Sequence, residues 1–92
     1  MAIRKELRDV LALTAELTHS NINEEVRHTL VIDRMRLPER ETHRYIHELE
    51  SLGLTEIQPR TNRAIDEKGR EFRIINITRN GLQELSSDQT LR

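Results

Sequence analysis

Apolar residues recur along this chain at two spacings, and the change from one to the other falls at Gly53. Before it, Ile3, Leu7, Val10, Leu11, Thr14 and Leu17 stand three and four residues apart, with Arg4, Lys5, Glu6, Arg8 and Asp9 between them. That spacing predicts an amphipathic helix over 3–18. His19-Ser-Asn-Ile-Asn23 breaks the pattern, and Asn21 or Asn23 is placed to cap a second helix over 24–35 that turns Val26, Leu30, Val31 and Met35 inward. Leu30-Val-Ile32 also fits a short buried strand, although the periodicity on both sides favours helix.

A third helix, over 38–52, is marked at both ends. Pro38 suits a first turn, where its missing N–H has no helical partner, and Glu39 and Glu41 suit the positive end of the helix dipole. Gly53 suits a left-handed cap. Thr42, Tyr45, Ile46, Leu49 and Leu52 fall on one face, and Arg40, Arg44, His47 and Ser51 on the opposite one, with His43 on its flank. The tight connection around Arg36-Leu37 makes the last two helices a helix-turn-helix.

Beyond Gly53, Leu54-Thr-Glu-Ile-Gln-Pro59 and Arg70-Glu-Phe-Arg-Ile-Ile-Asn-Ile77 are rich in branched apolar residues and separated by a polar, basic segment, 60–69. They predict a β-hairpin over 55–77 with its turn at Asp66-Glu-Lys-Gly69, glycine in the left-handed position. Thr78 then caps a short helix through Leu82 and Leu85, and Ser86 to Arg92 reads as a frayed tail. The expected architecture is mainly α with a small β-hairpin, one domain over 1–86 followed by a disordered 87–92, with the order helix, helix, helix, strand, strand, helix.

That order, with two local patterns, resembles a winged-helix DNA-binding domain of the type found in many bacterial and archaeal transcription regulators. Thr42-His-Arg-Tyr-Ile-His-Glu-Leu-Glu-Ser-Leu-Gly-Leu54 resembles the end of that family's recognition helix, where an apolar ladder runs into a Leu-Glu-x-x-Gly-Leu stop. Ile77-Thr-Arg-Asn-Gly-Leu-Gln-Glu-Leu85 resembles the strand exit and helix start that follow the wing in MarR-like and PadR-like regulators. The resemblance spans residues 3–85, and a weaker one extends to the winged helices of archaeal replication initiators. It implies double-stranded DNA as partner, 38–52 as recognition helix and 55–77 as wing. The chain departs from a typical member in its near-neutral charge and its long hairpin loop.

Physical chemistry assigns roles within that frame. A major groove about 12 Å wide admits one helix. Arg40 and Arg44, one turn apart, each offer a bidentate fork to guanine, worth about 1–3 kcal/mol of discrimination. His43 and His47 offer donors to bases or phosphates, and on the hairpin Arg60, Arg63, Lys68 and Arg70 offer phosphate contacts. Alternatively Arg40 and Arg44 pair with Glu41 and Glu48 as an ordinary solvated surface.

Charge changes the picture in one respect. Fifteen Lys and Arg against sixteen Asp and Glu leave a net charge of −1, so a DNA-binding face must be local. The rival reading is a protein-interaction module, or a subunit of a larger nucleic-acid-processing complex of replication type. Segregation of the arginines from the carboxylates discriminates the two. Composition contributes exclusions: no cysteine for disulfide or thiolate chemistry, and no apolar run near the roughly 18 residues that span a bilayer. The expectation is a soluble cytoplasmic protein without cofactor. His43 and His47 have the spacing of two helical metal ligands, but no glutamate directly follows the first histidine, and no cysteine completes a structural zinc site. No phosphate-binding glycine loop or activated nucleophile is present, and Asp33, Asp66 and Asp88 fall in separate elements, so no enzyme activity is expected. A homodimer through helix 3–18 and the C-terminal helix is expected, since sequence-specific readers of this size pair two copies on two half-sites.

Overall fold

The structure, a computed structural model, describes residues 3–58 and 64–89, the last three as backbone only. Helices α1 (Lys5–Leu17), α2 (His28–Met35) and α3 (Glu39–Ser51) precede strands β2 (Thr55–Ile57) and β3 (Ile74–Ile77) and helix α4 (Arg79–Gln89). A further strand, β1 (Val26–Arg27), enters directly before α2. The sheet has the order β1-β3-β2 and is antiparallel throughout, Val26 facing Ile75 on one side of β3 and Ile57 facing it on the other. Four helices and a three-stranded sheet make the mainly α architecture that the hydrophobic pattern predicts.

The second helix is shorter than its pattern. Asn21 does not cap it; its side chain accepts the Asn23 N–H at 2.8 Å and closes a turn instead. Residues 26–27 are drawn into the sheet by β3, and the helix starts only at His28. Leu30-Val-Ile32 is helical, with Val31 and Ile32 buried. Arg36, left-handed at φ 57°, ends α2. Pro38 caps α3 rather than opening its first turn, its carbonyl accepting the Thr42 N–H.

The α3 stop follows the expectation. Leu54 N–H donates to Leu49 O at 3.0 Å and Gly53 N–H to Glu50 O at 2.9 Å, with Gly53 at φ 76°. This is the doubly bonded left-handed cap, and the buried Leu49 and Leu54 supply its hydrophobic contact. Thr78 caps α4 by accepting the Gly81 N–H at 3.0 Å. That helix runs to Gln89, past Leu85 where the apolar pattern ends, and the rest of the expected tail, 90–92, lies outside the described residues.

One core joins these elements: Leu7, Val10 and Leu11 of α1 meet Val31 of α2, Ile46 and Leu49 of α3, and Ile75 and Ile77 of β3. The α1 stripe expected to pair two copies is thus largely inside the protomer, Leu7, Val10, Leu11 and Thr14 each being at most 2% exposed. Leu13, Leu17, Leu82 and Leu85 are only partly buried against it. Among the described residues, no helix is long and apolar enough to cross a membrane.

Candidate nucleic-acid interface

The core contacts of α3 decide its outer face. With Thr42, Ile46 and Leu49 buried, Arg40, Arg44 and His47 are exposed and His43 is half-buried, as the helical spacing requires. The expected local pairing does not form. Glu48 is taken by Arg4 at 2.8 Å, and that guanidinium also lies 5.9 Å from the Tyr45 ring, tying the start of α1 to the flank of α3. Among the described residues no carboxylate pairs with Arg40 or Arg44, and none pairs with Arg34 or Arg36 at the end of α2 and in the turn. Arg34 and Arg36 were not singled out from the sequence; their place beside the helix-turn-helix connection was the available signal. Glu39 is exposed and Glu41 half-buried in the first turn of α3, where the helix dipole favours them.

The wing cations are arranged differently. Asp66, 7% exposed, accepts the backbone N–H groups of Lys68 and Arg70 at 2.9 and 3.0 Å and the Arg70 Nε–H at 3.1 Å. The turn closes as expected, Gly69 N–H donating to Asp66 O with Gly69 at φ 80°. Arg70 then reaches across to α2, where its two terminal nitrogens donate to the Asp33 carboxylate at 3.1 and 2.8 Å. Lys68 joins Asp33 at 3.3 Å with its side chain 60% exposed, while that of Arg70 is only 26% exposed. Asp33 and Asp66, which belong to separate elements, therefore share one arginine. Arg27 pairs with Glu67 at 2.9 Å and stands over the Phe72 ring, adding a second tie.

These contacts shift titrations. The Arg70 hydrogen bonds, against the cost of burial, hold Asp33 below the usual carboxylate range. For Asp66 burial pushes upward, but the Arg70 and Lys68 backbone N–H groups, the Thr29 hydroxyl and the Arg70 charge outweigh it and hold the carboxyl at about 2. The geometry makes Arg70 a brace between wing and α2 rather than an open phosphate contact. Arg60 and Arg63 lie outside the described residues.

Between α3 and the wing lies a cleft of about 280 Å³ walled by Ile46, Ile57 and Phe72, with His28, His43 and His47 along it. The three rings form a row, His28 to His43 at 5.0 Å and His43 to His47 at 6.2 Å between centroids. Among the described residues, no group of three His, Asp or Glu side chains has a metal-binding arrangement. Sequence reasoning missed His28, because nothing in its local pattern marks a residue whose partner, Arg73, lies 45 positions away.

A helix-turn-helix followed by a braced antiparallel wing defines the winged-helix fold. Comparison of the backbone with solved structures agrees. A mutant MarR from E. coli complexed with operator DNA superposes with a TM-score of 0.73 at 16% identity, over 97% of this chain and 55% of that one. Two structures of Lactococcus lactis ZitR, one described as a zinc-responsive MarR family member and the other a mutant, give 0.66 and 0.67 at 11% and 13% identity. The protein has the MarR-like winged-helix fold and spans about half the length of these chains, 53–55%. No protein-family model matches the chain, and no curated protein does.

Proposed function

We propose that this protein is a small DNA-binding transcription regulator, not an enzyme, that lays α3 in the major groove and sets the wing along the phosphate backbone. One observation carries the reading: the cations that lack a carboxylate partner include a run, Arg34, Arg36, Arg40 and Arg44, through the end of α2, the turn and the outer face of α3. An interaction module with every arginine matched would not leave these four guanidinium groups open. A likeness to a MarR bound to operator DNA supports the same reading at the level of fold. In it Arg40 and Arg44 read base edges, His43 and His47 contact bases or phosphates, and from the wing Lys68, its side chain 60% exposed, reaches a phosphate. Two copies on two half-sites about one helical turn apart complete it, paired through the partly buried Leu13, Leu17, Leu82 and Leu85.

The test is the Arg40→Ala, Arg44→Ala double variant. With each fork worth about 1–3 kcal/mol of recognition, specific affinity should fall by roughly two orders of magnitude or more. The thermal midpoint should stay within about 1 °C, since neither residue has an ion pair to lose. Unchanged affinity for a duplex enriched from a random pool would sink the assignment and turn attention to protein partners. Light scattering on the free and DNA-bound chain reads the copy number.

A further inference from the structure

His28 sits where a strand must become a helix without leaving a gap in the sheet. The β1–β3 register pairs Val26 with Ile75 and Arg27 with Ile74, so the next pair in the ladder is His28 with Arg73. Half of that pair is ordinary: the His28 N–H donates to the Arg73 carbonyl at 2.9 Å. The other half needs an acceptor for the Arg73 N–H, but His28 opens α2 and its carbonyl belongs to the helical ladder. The imidazole stands in for it, Nδ1 accepting the Arg73 N–H at 2.9 Å. An accepting Nδ1 carries no proton, so the neutral ring bears its hydrogen on Nε2. A second proton would set donor against donor and break the bond.

We infer that His28 is the positioning residue that holds the wing strand against the start of α2, and that its protonation in mild acid releases this seam and weakens DNA binding. The inference rests on the DNA reading above and adds its regulation. The surroundings favour a neutral ring. His28 is only 9% exposed; from α3 it faces His43, with His47 stacked behind, and from the wing Arg70, Arg73 and Glu71. Burial first, and then the charge His43 can carry, hold His28 below the ordinary histidine range. The unfolded chain therefore takes up the proton before the folded one. The latch contributes fully above the ordinary histidine value and is lost as pH falls through it toward the lowered folded value. His43 and His47 stand beside it on α3 and are themselves contacts of the proposed DNA face. Comparison with a variant that keeps the acceptor and cannot titrate isolates His28.

His28→Asn is that variant, because its side-chain oxygen can accept the Arg73 N–H at any pH; His28→Leu removes the acceptor. Affinity of the full chain for a labelled duplex enriched from a random pool is measured from about pH 7.5 to about pH 5.5, the span of ordinary imidazole titration, at constant ionic strength. The Asn variant should match the parent at the upper end and bind about three- to tenfold tighter at the acid end. The Leu variant should bind weakly throughout. A parent-to-Asn ratio constant with pH overturns the inference and leaves the DNA reading intact. In the protein without DNA, the Arg73 amide signal should move with the His28 ring signals as pH falls. An amide that ignores that titration overturns the inference even if the Asn variant does not fold. Absence of duplex binding at every pH removes the DNA reading together with the regulation built on it.

Discussion

The outer face of α3 and the wing carry the same kind of residue and use it in opposite ways. On α3, Arg40 and Arg44 project from a helix whose neighbouring carboxylate, Glu48, is committed to Arg4, so both guanidinium groups are unspent. On the wing, Arg70 and Lys68 converge on Asp33, and Arg70 also meets Asp66. The lesson is that a surface cation is either left open or spent on bracing, and the position of the nearest carboxylate decides which. On the proposed DNA reading a brace still serves binding, since a wing held at one angle would lose less conformational freedom on docking to a phosphate.

The sharpest contrast comes from setting the α3 double variant beside Arg70→Ala. The first should lose roughly a hundredfold or more in specific affinity with its thermal midpoint unmoved. The second should lower the midpoint by about 5 °C and cost only several-fold in affinity, through a misplaced wing. Calorimetry and a binding titration on the same samples check both, and an Arg70 variant with intact stability and a hundredfold weaker binding would erase the distinction. Acid unfolding sharpens it further. Asp66 titrates at about 2 in the folded protein against an ordinary 3.8, so its contribution is complete above the ordinary value and disappears as pH falls from there toward 2. Asp66→Asn should flatten stability over that interval in urea titrations.

Two smaller effects test one residue from each side of the comparison. Lys68→Ala should reduce the slope of log affinity against log salt by at most about one and leave stability within about 1 °C, because its side chain is mostly exposed. Arg36 is both free of carboxylates and left-handed at φ 57°, a conformation that costs a non-glycine residue free energy. Arg36→Gly should raise stability slightly, by about 0.5 kcal/mol, while weakening DNA binding. A loss of stability there would mean that the arginine braces the turn.

What could be read from the chain alone was local. The stripes of α1 and α3, the Gly53 stop, the turn at residues 66–69 and the Thr78 cap each depend on residues within one or two turns of one another, and sequence spacing carries that information directly. The outward placement of Arg40, Arg44 and His47 followed from the same periodicity. Tertiary structure decided the rest. Val26 and Arg27 became strand because β3 arrived beside them, and the α1 stripe turned inward because this one core had room for it. Asp33 found Arg70 across 37 positions, Arg4 found Glu48 across 44 and His28 found Arg73 across 45. Such partners have no periodic signature, since an ion pair or a single hydrogen bond adds too little free energy to organise the chain and forms only where the packed core has already brought the groups together.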